Sequence, residues 1–306
     1  MELLVVVNRG AGSAGEERLA RALEVLRRGA GVEVAVTGSP SELDDVVAAR
    51  GTRRLVVAGG DGSVSAVVAA LDRAGDLGDP LGVVPLGTGN DLAGALGLPD
   101  DPGAAARVVL EGTPRHLDLL RDDAGGVVVN AVHAGIGVRA AGEAARLKDR
   151  LGALAYPVGA ALAGTGPGEA LRVAVDGAVV TVPDGRAADG DTPLLMVGVC
   201  NGPTIGGGTA LAPGADPGDG LADVVVSAAT GPAARVAFAA ALLAGRHGDR
   251  DDVVVVRGRE VTVSGGPVGL DADGDLLDPV PSRTWRVQPG AWSVPLPVAL
   301  PGSAGR

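Results

Sequence analysis

Leu55-Val56-Val57-Ala58-Gly59-Gly60-Asp61-Gly62-Ser63 runs an unbroken apolar stretch into a glycine cluster. The chain repeats the arrangement in Gly82-Val83-Val84-Pro85-Leu86-Gly87-Thr88-Gly89-Asn90-Asp91. A short apolar run without alternation is the pattern of a strand buried on both faces of a parallel sheet. After the first cluster, Ser63 to Leu71 is apolar enough for a buried helix; after the second, a helix starts near Asn90. Upstream, Leu3 to Val7 reads as another buried strand, and Glu16 to Arg28 carries Leu19, Leu23 and Leu26 at helical spacing. Val32, Val34 and Val36 alternate as a strand, and Ser41 caps a helix over Glu42 to Arg50. Strand alternating with helix predicts an α/β domain built on a doubly wound parallel sheet with right-handed crossovers.

After about residue 116 strand-like segments follow one another: 117–120, 126–131, 171–175, 179–182, 194–199, 224–226, 253–256 and 261–263. Asp176-Gly177 and Pro183-Asp184-Gly185 supply turn chemistry between them. This spacing predicts an antiparallel β-sandwich, interrupted by helical insertions near 139–164 and 232–244. The expected domains are 1–118, α/β and nucleotide-binding, and 119–306, mainly β, with the final segment a candidate to return to the first.

Composition narrows the function. The 306 residues include 51 Gly and 21 Pro, just under a quarter of the chain, yet 46% are hydrophobic, which favours a packed protein over low-complexity disorder. Among 26 basic residues Lys148 is the only lysine, and no Gly-Lys-Ser/Thr triplet exists, so a Walker-type loop is excluded. A net charge of −11 opposes nucleic-acid binding. The lone Cys200 excludes an intrachain disulfide and multi-cysteine zinc. Met1 to Asn8 lacks a signal peptide's basic start, and the uncharged stretch 151–168 is broken by Pro157, Pro167 and several glycines. A soluble cytoplasmic protein is expected.

Glycine clusters at strand ends fall where open α/β sheets take ligands. Gly10, Gly12 and Gly15 satisfy G-x-G-x-x-G, but the second strand ends in Val36-Thr37-Gly38, without the acid that holds a dinucleotide ribose. In Gly59-Gly60-Asp61-Gly62-Ser63 the glycines expose N–H groups toward an anion at a helix start. An acid there repels phosphate unless a metal or a hydroxyl offsets it, which hints at Mg2+ with nucleotide phosphates. Two such loops at neighbouring strand ends are more specific than either alone.

Gly-Gly-Asp-Gly-Ser followed by Pro-Leu-Gly-Thr-Gly-Asn-Asp resembles the catalytic domain of the diacylglycerol kinase family, which includes sphingosine and ceramide kinases and is related to NAD kinases. Asn8-Arg9-Gly10-Ala11-Gly12 is similar to that family's opening motif, and Thr37 to a threonine closing its second strand. Leu117-Asp118-Leu119, Asn130, Gly135-Ile136-Gly137, Lys148 to Gly152 with Ala155-Tyr156, and Cys200-Asn201-Gly202 through Ala212-Pro213 match further stretches. Arg9 stands for the usual proline, Ser63 for threonine, and Gly94 for an arginine. The resemblance implies an NAD-kinase-like first domain that holds ATP through Asn8, Thr37, Gly59, Gly60, Asp61, Gly62, Ser63, Gly87, Thr88, Gly89, Asn90 and Asp91.

Asp216-Pro217-Gly218-Asp219-Gly220-Leu221 reads as a solvated hairpin turn on composition alone. The resemblance implies a structural Mg2+ there, bound by the Asp219 carboxylate and the carbonyls of Asp216 and Leu221, with Asp118 in support. Asp271-Ala272-Asp273-Gly274-Asp275 fails the EF-hand spacing and resembles the family's Asp-Gly-Glu. That alignment makes Asp273 the general base and puts Asp275 in the place of glutamate; Asp271 is the fallback base. The activity implied is ATP- and Mg2+-dependent phosphoryl transfer to a hydroxyl of diacylglycerol or a similar lipid, with Mg2+ bridging the phosphates and Asp61 and Asp91 beside it. The protein would then visit the membrane surface transiently; a homodimer is compatible with this. The alternatives are an NAD-kinase-like enzyme with a soluble substrate and a nucleotide-binding regulator without turnover. His116, His133 and His247 lack metal-ligand spacing and read as structural, Cys200 as a buried thiol, and Trp285 and Trp292 as packing residues.

Overall fold

The computed structural model describes residues 1–9, 13–135 and 168–297. The expected insertion near 139–164 lies outside them, as do Gly10, Gly12, Ile136, Gly137, Lys148 and Tyr156. The described chain divides into two compact units, Met1–Leu117 with the segment from Gly290 onward, and Asp118–Pro289.

In the first unit β1 (Glu2–Asn8), β2 (Gly31–Thr37), β3 (Arg54–Gly59) and β4 (Gly82–Pro85) form a parallel sheet in the order β2-β1-β3-β4. The crossover helices are α1 (Ser13–Gly29), α2 (Pro40–Ala48) and α3 (Asp61–Arg73). α1 packs beside α5 (Pro102–Glu111), and α2 beside α3. Leu3, Val5 and Val7 of β1 bury against Leu23 and Leu26 of α1 and Ala105, Ala106 and Val109 of α5. That is why β1 reads as a continuous apolar run: both of its faces are covered. The strand order reverses at β1, so the ends of β1 and β3 lie at a switch point, the crevice where such sheets bind ligands. The helix expected near Asn90 is the five-residue α4 (Asp91–Ala95), and α5, capped by the Asp101 side chain on Ala104 N–H, was not foreseen.

In the second unit the strands are β5 (Thr113–Asp122, entering from the first), β6 (Val127–Val128), β7 (Ala131–Gly135), β8 (Glu169–Val175), β9 (Ala178–Val179), β10 (Asp189–Leu194), β11 (Met196–Cys200), β12 (Ala222–Ser227), β13 (Val253–Gly258), β14 (Glu260–Ala272) and β15 (Asp275–Leu296, leaving for the first). Antiparallel ladders link them in the order β13-β12-β11-β7-β14-β15-β5-β6, with β8 on β14 and β9 and β10 on β8. The sandwich core collects inward-facing residues such as Val132, Val173, Val199, Val224, Leu270 and Trp285. The other face of β7, β11 and β12 is closed by Phe238 and Leu242 of α6 (Pro232–Leu243).

β15 is the longest element that sequence reading missed. Its 22 residues include Pro279, Pro281, Pro289 and Pro295, which argue against a strand by their missing N–H. β14 accommodates it with register shifts between Ser264 and Leu270.

Candidate functional site

In the first unit Gly59 ends β3 and Gly60, in extended conformation, opens α3 without a side-chain cap. The first-turn N–H groups of a helix have no intrahelical acceptor, so this end offers donors to an anion. The glycines have steric causes. A Cβ on Gly59 would lie 2.5 Å from Ser63 Oγ. A Cβ on Gly87 would lie 2.6 Å from the Cα of Gly60 and 2.8 Å from Asn90 Oδ1. The two loops therefore touch backbone to backbone, and only glycine permits it. Leu86 N–H donates to Gly59 O at 2.9 Å and continues the β3–β4 ladder to the loops.

Asp61 answers the question posed by an acid among anion-binding glycines. Its carboxylate accepts N–H bonds from Asp91 (2.9 Å) and Leu92 (3.1 Å), so it caps α4 and fastens one loop to the other. The charge is offset by helix donors, one on each oxygen of Asp61. Asn90 adopts the left-handed conformation (φ 54°) and donates from Nδ2 to Gly87 O at 2.8 Å; its buried Oδ1 has no partner. Asp91 is buried, whereas Thr88, Gly89 and Gly62 are exposed at the loop surfaces. Asn8 and Thr37 stand in register at the ends of β1 and β2, and Arg9 N–H donates to Thr37 O at 2.9 Å. Sequence reading missed Arg18 of α1, whose Nη2 donates to Pro85 O (3.0 Å) and Asp100 O (2.9 Å), tying α1 to the segment that precedes the second glycine loop. Nothing in the local sequence distinguishes it from the other arginines on that helix.

In the second unit the acidic turn is laced by N–H donors. Gly218 N–H reaches Asp216 Oδ1 (3.0 Å), Leu221 N–H reaches Asp219 Oδ1 (3.0 Å), and Gly220 N–H reaches Asp118 Oδ2 (2.7 Å). Asp219 Oδ2 is ion-paired with Arg257 Nη2, and Arg257 Nε lies 3.3 Å from Asp223 Oδ2. Among the described residues no three His, Cys, Asp or Glu side chains are arranged to hold a metal. The one carboxylate expected to ligate Mg2+, Asp219, meets a guanidinium.

The third feature is the β14–β15 hairpin. Ala272 pairs with Asp275, leaving Asp273-Gly274 as a two-residue turn with φ of 51° and 94°. Both positive values identify the Asp-Gly hairpin turn. Asp273 Oδ2 accepts from Val129 N–H (2.7 Å), and Oδ1 from Asn130 N–H (2.9 Å) and Ala131 N–H (3.0 Å). Its own N–H donates to Ala131 O at 2.9 Å. Asp275 is exposed. Asp271, buried, accepts from Gly274 N–H at 2.9 Å, and its Oδ2 lies 3.7 Å from Nε2 of the equally buried His133, its cross-strand neighbour. Burial holds His133 below the ordinary histidine range, against the pull of Asp271. Around this turn Asn201 Nδ2 donates to Val129 O (2.7 Å) and Asp118 O (3.1 Å), and Asn130 Nδ2 to Thr204 O (2.8 Å).

Two family models match the chain: the diacylglycerol kinase catalytic domain over residues 2–121, and the YegS C-terminal NAD kinase beta sandwich-like domain over 130–296. A Stenotrophomonas maltophilia protein described as a probable lipid kinase YegS-like is 33% identical over 94% of this chain and 94% of its own. The chain belongs to the diacylglycerol kinase catalytic-domain family. A further member, described as a diacylglycerol kinase of Mycobacterium tuberculosis, is 31% identical over 84% of this chain and 82% of its own. Two solved Bacillus anthracis structures share this family's fold, with TM-scores of 0.79 and 0.71 over 97% of this chain and 97% of theirs, at 21% and 17% identity. The first family model contains both glycine loops, and the second contains the acidic turn and the Asp273 hairpin.

The remaining singular residues are structural in this family member. His247 Nε2 lies 2.7 Å from Leu211 O, which can only accept, so Nε2 is the donor; burial lowers its pKa and its edge meets Phe238. Cys200 is fully buried and its thiol is pushed up by burial, away from reactivity. Trp285 and Trp292 are buried.

Proposed function

We propose that this family member is an ATP-dependent lipid kinase that transfers the γ-phosphoryl group to a hydroxyl of diacylglycerol or a similar lipid. The observation that carries the reading is the pair of glycine loops in backbone contact, with an uncapped helix start at Gly60 and Asp61 fastening the loops together. Such a rigid set of N–H donors suits the phosphates of a nucleotide. Phosphoryl transfer asks mainly for alignment and charge neutralisation. Mg2+ carried with ATP would supply charge neutralisation at the phosphates. Gly60 and Gly62 would hold phosphate oxygens through their N–H groups, while Ser63, whose N–H is spent on Gly60 O, and Thr88 offer hydroxyls. Asp61 acts here through position, by setting the distance between loops.

Asp273 is assigned as the base that accepts the acceptor hydroxyl's proton. Its three N–H donors fix the position of the carboxylate. No described helix is long and apolar enough to cross a membrane, so the lipid would be met at a membrane surface. The test is transfer of label from γ-labelled ATP to an organic-extractable product across a panel of lipids. Label in the lipid phase, lost in Asp273→Asn, is the expected result; transfer unaffected by Asp273→Asn rejects that base. Label confined to the aqueous phase would point to a soluble acceptor.

A second reading has its own observation. Asp61 and Asp273 both spend their oxygens on backbone N–H groups, and Gly94 brings no side chain to the second loop. A nucleotide-binding regulator without turnover would look the same. ATP binding with no transfer to any lipid selects it.

A further inference from the structure

We infer that the guanidinium of Arg257 is the cation of the acidic turn, and that this turn folds without a bound divalent ion. The turn brings Asp216, Asp219 and Asp223 together within eight residues and draws in Asp118, of which Asp118 and Asp223 are buried. Asp216 and Asp219 are exposed, but the buried carboxylate of Asp223 calls for a positive partner. The β12–β13 register places Arg257 directly opposite Asp223. From there Nε reaches Asp223 and Nη2 reaches Asp219, so one planar fork spans both acids.

The other Asp219 oxygen is taken by Leu221 N–H. Mg2+ demands near-octahedral oxygens at about 2.0–2.1 Å and keeps several waters, a shell that the guanidinium in contact with Asp219 would obstruct and repel. This inference concerns the turn alone and does not rest on the kinase reading; Mg2+ arriving with a nucleotide is a separate matter.

The experiment uses the full chain, nucleotide-free and stripped with EDTA. Mn2+ is the calorimetric probe, and thermal unfolding is followed with and without Mg2+. The wild type should show no saturable Mn2+ site that Asp219→Asn removes, and no Tm shift with Mg2+. Arg257→Gln should lower Tm by about 2–4 °C, as expected when a charge pair is broken in a domain of this size. Millimolar Mg2+ should then restore it, and the restoration should vanish in the double variant Asp219→Asn/Arg257→Gln. One wild-type Mn2+ site lost in Asp219→Asn overturns the inference, as does an Arg257→Gln protein with unchanged Tm or one that Mg2+ does not restore. Should Arg257→Gln fail to fold, Arg257→Lys retains the charge and should keep a Tm insensitive to Mg2+; a Tm rise with Mg2+ in that variant would count against Arg257 as the cation.

Discussion

The second unit contains two Asp-Gly hairpin tips built alike. Asp176-Gly177 (φ 49° and 82°) joins β8 to β9, and Asp273-Gly274 (φ 51° and 94°) joins β14 to β15. At each tip the aspartate N–H donates to a backbone carbonyl, Glu260 O in one case and Ala131 O in the other. Each carboxylate then accepts N–H groups of the same neighbouring segment: Arg259 and Glu260 for Asp176, and Val129, Asn130 and Ala131 for Asp273. Docking a hairpin through its turn aspartate is thus a general device of this sandwich, and by itself marks no active site. What sets Asp273 apart is its surroundings. Asp176 is exposed, whereas Asp273 is half-buried with Asp271 and His133 behind it and with Asn130 and Asn201, whose buried Oδ1 atoms lack partners, alongside.

The sharpest way to break the comparison is Asp→Asn at each tip, since Asn tolerates the left-handed backbone. If Asp273 is the base, Asp273→Asn should lower kcat/KM for lipid phosphorylation about 10²–10⁴-fold, while Asp176→Asn leaves it unchanged. Equal effects on turnover would reduce both tips to scaffolding. Next in size is stability under urea. Asp273→Asn should cost about 2–3 kcal/mol because the deprived N–H groups are partly buried, and Asp176→Asn about 1 kcal/mol because water replaces the lost acceptor. Smaller than the Asp273→Asn cost, Gly177→Ala and Gly274→Ala should each take about 1–2 kcal/mol, since both sites have open space but positive φ. A marked inequality there would show that one turn is held more tightly than the other.

The smallest effect separates the tips by pH. His133 backs only the Asp273 turn, and its folded pKa lies below the ordinary 6.5, as does that of His247. The unfolded chain then binds protons that the native state refuses, so stability is present above 6.5 and is lost as pH falls through it. From pH 7 to 6 each histidine should cost up to about 0.7 kcal/mol. His133→Gln should remove about half of that slope in urea titrations, and an unaltered slope would mean that His133 is not held neutral.

The parallel sheet was legible because β1, β3 and β4 are apolar without interruption, the direct imprint of burial on both faces. The glycine loops were legible for a similar reason: Gly87 answers a steric demand that no other residue meets. Asp61 was recognisable as important but not in its role, since its partners, the N–H groups of Asp91 and Leu92, lie 30 and 31 positions away. Asp273 was visible as part of an acidic cluster, yet its turn was not, although Asp176-Gly177 was read correctly as one. The flanking prolines of β15 hid the strand that completes the second hairpin. Arg257 carried no signal at all: only the β12–β13 register brings it to Asp219 and Asp223.

The two passages of the chain between units, at Leu117–Asp118 and Pro289–Gly290, have a consequence for synthesis. The first unit is begun first and finished last. Leu81 N–H donates to Ser293 O at 2.8 Å, and Trp292 and Val294 are buried. Emerging from the ribosome, the glycine loops must wait for nearly the whole protein before the residues from Gly290 onward are available, whereas the sandwich already has its sequence. Order of translation and order of completion are therefore inverted, and a nascent chain ended before Gly290 would carry both glycine motifs on an unfinished unit.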